Sequence, residues 1–441
     1  MTAVQDDRRL RVRASAGPWP ALILGADLVA LLYTLFTKPY GTWGAFLLLP
    51  AMVLLTVPVF VRRATKDGDP KLARLLCIAL AVKFAATLVR FYVTFSTDYH
   101  LDDASNYDQQ GAGLAVQFRH LHFIADHTAG SSATRNMRTI TGAVYALIGH
   151  TELGGYLVFS WLGFIGLYFC YRAFCVALPR FDRRRYARLV FFLPSLLFWP
   201  SAIGKDAWTL FTMGIATYGA ARILARQHGG FSLLVLGMAG CTIVRPHISV
   251  VLFCGLMVAS VLRRGHGVVG SARKWVAVVL MVMIGTVVIG KAKQFFGVEK
   301  VDSASVNQVF NNATTRSSVG HSSFAAAPVR NPLDLPRAAA SVLFRPFPFE
   351  AHNTSNLIAS FEGVFLMGLC VVSFGRLRRL PIFLFVEPYV AFVCVYSVLF
   401  IVAFSHIANF GILARQRTQL FPYVLALLAL PSRKDVTWIH D

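Results

Sequence analysis

The chain has 441 residues, 56% hydrophobic and only 15% charged, and Lys and Arg outnumber Asp and Glu 43 to 21. This excludes an ordinary soluble domain and is too long for a single membrane hairpin. Backbone in lipid must pair within helices or around a closed barrel, and the long apolar runs lack the dyad alternation of a barrel.

The expected fold class is therefore all-α: a single polytopic membrane domain over residues 1–441. The net charge of +22 is read as an excess of cytoplasmic Lys and Arg. A nucleic-acid partner is not expected, because the arginines are scattered over short loops and not gathered on one face. Seven cysteines, at 77, 170, 175, 241, 254, 370 and 394, all fall in apolar runs without a CxxC pair. They suggest neither zinc nor a disulfide framework.

In chain order, the basic start from Arg8 to Arg13 precedes an apolar run, read as a retained first helix and not a cleaved signal. Apolar segments of spanning length follow at 18–36, 44–61, 75–95, 154–177, 187–203, 207–225, 230–245, 247–262, 274–291, 356–374, 383–405 and 412–430, about twelve in all. Short linkers carry Arg62, Arg63 and Lys66, then Arg183, Arg184 and Arg185, then Arg263 and Arg264, then Arg376, Arg378 and Arg379. Placing these linkers in the cytoplasm puts both termini there as well. Two longer segments, about 96–153 and 292–355, then lie outside. Thr139–Ile148 reads as an amphipathic or re-entrant piece too short to span. The Ser/Asn/Ala-rich stretch 302–328 reads as a flexible loop, and 335–349 as an interfacial piece.

Polar residues that are costly near hydrocarbon collect on that outer side. The stretch Thr97–Gly111, TDYHLDDASNYDQQG, holds Asp98, Asp102, Asp103 and Asp108. Asp102 or Asp103 could act as a general base or hold a divalent cation. Helix capping is the ordinary account of one aspartate, though not of the whole cluster. After Trp199-Pro200 comes SAIGKD, where Lys205 and Asp206 open a second helix; the pair reads either as a local offset of charge or as a phosphate contact. In VRPH, Arg245 and His247 flank a proline and have few neighbours in sequence able to satisfy them. Arg345, Glu350 and His352 sit among aromatic residues, and Arg415 and Arg417 enter the last apolar segment. Cations can hold a lipid-linked phosphate or diphosphate as it leaves, while a carboxylate deprotonates an acceptor hydroxyl.

This pattern resembles the polytopic bacterial envelope glycosyltransferases that use polyprenyl-linked sugars. Asp102-Asp103 is similar to the acidic loop motif of the C-type integral-membrane glycosyltransferases, although here it follows the third apolar segment. Arg245, Arg345, Arg415 and Arg417, with FWPSAIGKDAWTLF and VRPH, resemble the outer-face arginines and phrasing of Wzy- and EpsG-like polysaccharide polymerases and O-antigen ligases. The likeness covers roughly 90–420. It implies an inverting sugar transfer at the outer face of the plasma membrane, from a lipid-linked saccharide donor to a glycan acceptor, amid membrane lipid. A divalent cation belongs to the first family reading and is unnecessary in the second. The rival expectation is a transporter or flippase of a lipid-linked saccharide, which should show charges buried at mid-membrane, with Lys83, Arg90, Glu362 and Glu387 as candidates, and an internal repeat.

Overall fold

Helices form along the apolar runs, and proline opens several of them, as at Pro194, Pro246 and Pro388, although the helix Tyr40–Lys66 runs through Pro50 and Pro58. A computed structural model describes residues 14–96, 103–122, 126, 128–262, 285–298, 303–318 and 322–431. Among these residues the fold is all-helical, with one isolated bridge, between Ser323 and Asn409, and no strand. The order is α1 (Trp19–Thr37), α2 (Tyr40–Lys66), α3 (Pro70–Ser96), α4 (Asp103–Arg119), α5 (Ser132–Ile148), α6 (Glu152–Ala177), α7 (Arg183–Phe192), α8 (Pro194–Phe198), α9 (Lys205–Leu224), α10 (Gly230–Val244) and α11 (Pro246–Leu262). Then come α12 (285–296), α13 (Ser303–Ser317), α14 (Leu335–Phe344), α15 (Thr354–Val372), α16 (Phe374–Leu377), α17 (Leu380–Val386), α18 (Pro388–Phe404), α19 (Phe410–Gln416) and α20 (Phe421–Leu428).

Five of these helices are long and apolar enough to cross a bilayer: α1, α2, α3, α6 and α15. A sixth span results if α17 and α18, bent by 119° at their junction, count as one. This is the build of a membrane protein. Most of the other apolar segments are shorter or broken; α9 has 20 residues but is not among the spanning helices. Proline at 194 separates α7 from α8, and the segment 412–430 is interrupted by a single 3₁₀ turn, Arg417–Gln419. Most of 274–291 lies outside the described residues.

The stretch 302–328 departs from the loop expected there, because α13 fills its first half. Ser, Asn and Thr are weak helix formers, not prohibitive ones, and tertiary contacts hold this helix. The Thr314 hydroxyl donates to the His406 carbonyl at 2.9 Å, and the Ser317 hydroxyl accepts from the Ala408 N–H at 2.9 Å. Phe310 stacks on the His406 ring at 4.2 Å.

The chain falls into two compact units. Unit 1 comprises Met1–His127, Arg138–Phe164 and Ser201–Gly204; unit 2 comprises Thr128–Met137, Ile165–Pro200 and Lys205–Asp441. Within unit 1, hydroxyls and an indole join the apolar helices: Trp161 donates to Thr56 at 2.8 Å, Thr87 to Ser160 at 2.6 Å, and Ser160 lies 3.2 Å from Ser201. Such bonds hold helices together where lipid removes most of the hydrophobic driving force.

Within unit 2 the backbones themselves meet. A Cβ on Gly214 would collide with the carbonyl of Gly166, and one on Gly237 with the backbone of Ala216. Glycine is required at these two crossings because the obstacle is main chain, which cannot rotate away. Gly214→Val is therefore expected to destabilise the protein by about 1–3 kcal/mol, read as a lower thermal midpoint in detergent. Gly368→Val, where a Cβ meets nothing within 4 Å, should leave the midpoint in place.

Candidate functional site

The acidic stretch resolves into residues with different fates. Asp98 and Asp102 lie outside the described residues. Asp103 is the first residue of α4 and is exposed. One and a half turns later, Asp108 points inward and is 5% exposed. A close crossing brings α5 against this face of α4: a Cβ on Gly111 would stand 2.7 Å from the Thr141 side chain, and one on Gly142 2.8 Å from Leu114. Arg119 ties the far end of α4 to the Tyr145 carbonyl at 2.8 Å.

Two side chains converge on Asp108 across this crossing. Tyr145, fully buried on α5, donates its hydroxyl to Oδ1 at 2.5 Å. His150 places Nε2 3.3 Å from both carboxylate oxygens. Its ring stands edge-on to Tyr145, with centroids 5.2 Å apart. The turn between α5 and α6 aims the histidine, and its bend is made by Gly149 at φ +85°, a conformation glycine adopts without strain. Burial first, and then the adjacent Asp108 carboxylate, hold the Tyr145 phenol far above its ordinary range, so it stays a donor. The His150 side chain is 52% exposed while that of Asp108 is 8% exposed. A buried carboxylate thus orients a histidine whose other ring nitrogen is open to a partner. That arrangement can accept a proton and stabilise the resulting imidazolium. Neither Tyr145 nor His150 stood out in the sequence. The only local signal was the Gly-His pair after an amphipathic helix.

The residues expected to bind phosphate behave differently, and all lie in unit 2. Asp206 is buried, accepting from Arg245 at 2.5 Å and from the Arg415 Nε. Lys205, which opens α9 as expected, donates to Thr134 at 3.0 Å. Arg245 also reaches Gln416 at 2.6 Å. Its partners come from α9 and α19, so the sequence around VRPH could not reveal them. Three elements are thereby fastened by one carboxylate.

A second cluster forms around Glu362. Arg417 is completely buried, 3.6 Å from Glu362, and donates to the carbonyls of Leu343 and Arg345 at 3.3 and 2.7 Å. Glu362 also takes the N–H of Ser195 at 2.7 Å and its hydroxyl. Arg345 is clamped by Glu350 at 2.5 Å and stacks 4.6 Å from the Phe324 ring centre. His352 is exposed. His247 joins neither cluster. Its ring packs against Phe295 and Phe296 at 5.7 and 5.9 Å.

Among the described residues, no three His, Cys, Asp or Glu side chains are grouped to hold a metal ion. The chain was compared with protein-family models, with curated proteins and with solved structures, and it matches none of them.

Proposed function

We propose that the chain is a membrane glycosyltransferase or polysaccharide polymerase, working at the outer face of the plasma membrane with both termini in the cytoplasm. Its donor is a polyprenyl-phosphate-linked saccharide and its acceptor a glycan hydroxyl. The observation that carries this reading is the Asp108–Tyr145–His150 cluster, a proton-accepting group beside apolar helices. In the reaction, the acceptor oxygen forms a bond to the anomeric carbon and gives its proton to the His150 imidazole. The bond from that carbon to the phosphate oxygen breaks, and the lipid phosphate leaves with the electron pair. Asp103, exposed at the head of α4, and Asp102 remain on the acidic stretch as candidates to orient the acceptor.

One observation favours a second reading, translocation of a lipid-linked saccharide. Asp27 on α1, Lys83 and Arg90 on α3 and Glu362 on α15 are all buried within helices of spanning length, where charge commonly marks a transport path. A single experiment separates the two. Full-length protein is reconstituted in liposomes with a polyprenyl-phosphate-linked saccharide and a soluble glycan acceptor. Transfer predicts acceptor lengthened by the donor sugar, detected by mass. Movement of the intact donor across the bilayer, with no new glycosidic bond, would replace the transferase reading by the transporter one.

A further inference from the structure

Unit 2 contains a cavity of about 1210 Å³, larger than the pockets of roughly 300–1,000 Å³ that hold drug-sized ligands. The segment before and into α5, one side of α10 and the facing sides of α12 and α13 form its wall. Among the described lining residues the charge has one sign: Arg135, Lys291 and Arg316 line it, with no carboxylate. Arg135 gives one N–H to the Gly130 carbonyl at 2.7 Å. Among the described residues, Lys291 and Arg316 have no hydrogen-bond or ion-pair partner. This sets them apart from Arg245, Arg345, Arg415 and Arg417, all of which pair with acids of the same unit.

The remainder of the wall is largely apolar, with Val288, Phe295 and Phe296 on the α12 side. His247 packs behind the two phenylalanines and keeps an Nδ1 that is buried without a partner among the described residues. A free inorganic anion would satisfy the cations and leave the apolar wall wet. A neutral apolar molecule would cover the wall and leave the cations with only water. A phosphate joined to a hydrocarbon chain satisfies both, since guanidinium and ammonium groups bind phosphate oxygens through charge-assisted hydrogen bonds.

We infer that this cavity binds the head and first carbons of an anionic amphiphile, a phosphate monoester on an apolar chain, with Lys291 and Arg316 on the phosphate. The claim concerns binding alone and stands whether or not the protein transfers sugar.

The test uses the full-length chain in a neutral detergent and titrates it calorimetrically with farnesyl phosphate, farnesol and inorganic phosphate. Farnesyl phosphate should bind saturably and at least tenfold more tightly than either of the others. Exchanging both cations, Lys291→Ala with Arg316→Ala, should weaken it at least tenfold, while Lys291→Arg retains binding. Arg62→Ala, a basic change in unit 1, should have no effect. The comparison of three ligands on the unaltered protein keeps the test decisive if the double variant fails to fold. Equal binding of farnesol would reduce the cavity to an apolar site. Inorganic phosphate binding as tightly as farnesyl phosphate would reduce it to a free-anion site. Either result overturns the proposal, as does undiminished binding by a folded double variant.

Discussion

Alanine at His150 is expected to lower sugar transfer by about 10²–10⁴-fold, the range for loss of a positioned general base. The amount of folded protein should hardly change. The side chain is half exposed, and its removal leaves Asp108 with the Tyr145 hydroxyl still donating to it. Asp108→Asn should be harmful for a different reason. The amide oxygen can still accept from Tyr145, but the neutral group cannot stabilise an imidazolium. The measurement is initial transfer rate in liposomes, with the melting temperature alongside. Imidazole added to the buffer should restore part of the rate to His150→Ala and none to Asp108→Asn, because only the first leaves a solvent-reachable gap. Normal transfer by both variants would remove the cluster from the mechanism.

The second large effect is on stability. Asp206→Ala strands Arg245, whose side chain is 5% exposed, and Arg415, whose side chain is 26% exposed. Breaking a buried ion pair by removing one partner typically costs about 3–5 kcal/mol, because the surviving charge stays desolvated. Asp206→Ala is therefore expected to fall near that range and to reduce recoverable protein. Arg415→Ala should cost clearly less, since Arg245 still neutralises Asp206 and the lost guanidinium was already partly in water. Exchanging all three for apolar residues of similar volume should recover much of the loss, as such replacements are often neutral or better. Thermal unfolding of the four proteins in one detergent checks the order. An Asp206→Ala protein as stable as its parent would mean that the carboxylate is not the fastener its geometry indicates.

This result changes how the arginines are read. Arg245, Arg345, Arg415 and Arg417 attract notice in the sequence because charge beside long apolar runs is costly. The inference that something must compensate that charge holds, but the compensation comes from inside the chain. Asp206 lies 39 residues from Arg245 and 209 from Arg415; Glu362 lies 55 residues before Arg417. No local pattern encodes pairings of that span. Two cations without such a partner among the described residues, Lys291 and Arg316, lie at the end of the apolar run 274–291 and in the Ser/Asn/Ala-rich stretch after it, where a charged residue reads as an ordinary boundary or loop charge.

By itself the sequence determined the class of the protein. Long apolar runs can only be helices in lipid, because each helix satisfies its own backbone. Thus α1, α2, α3, α6 and α15 appear where hydropathy puts them. It also singled out the acidic stretch, since carboxylates beside such helices need a reason. Only the tertiary structure decided which aspartate faces inward. The turn of α4 directs Asp108 into the protein and leaves Asp103 exposed, and the glycine crossing with α5 brings Tyr145 and His150 to it from about forty residues away. Helical periodicity indicates that one face must be buried, but which neighbour covers that face depends on backbone approach at Gly111 and Gly142. That approach is a property of two packed helices and not of either alone.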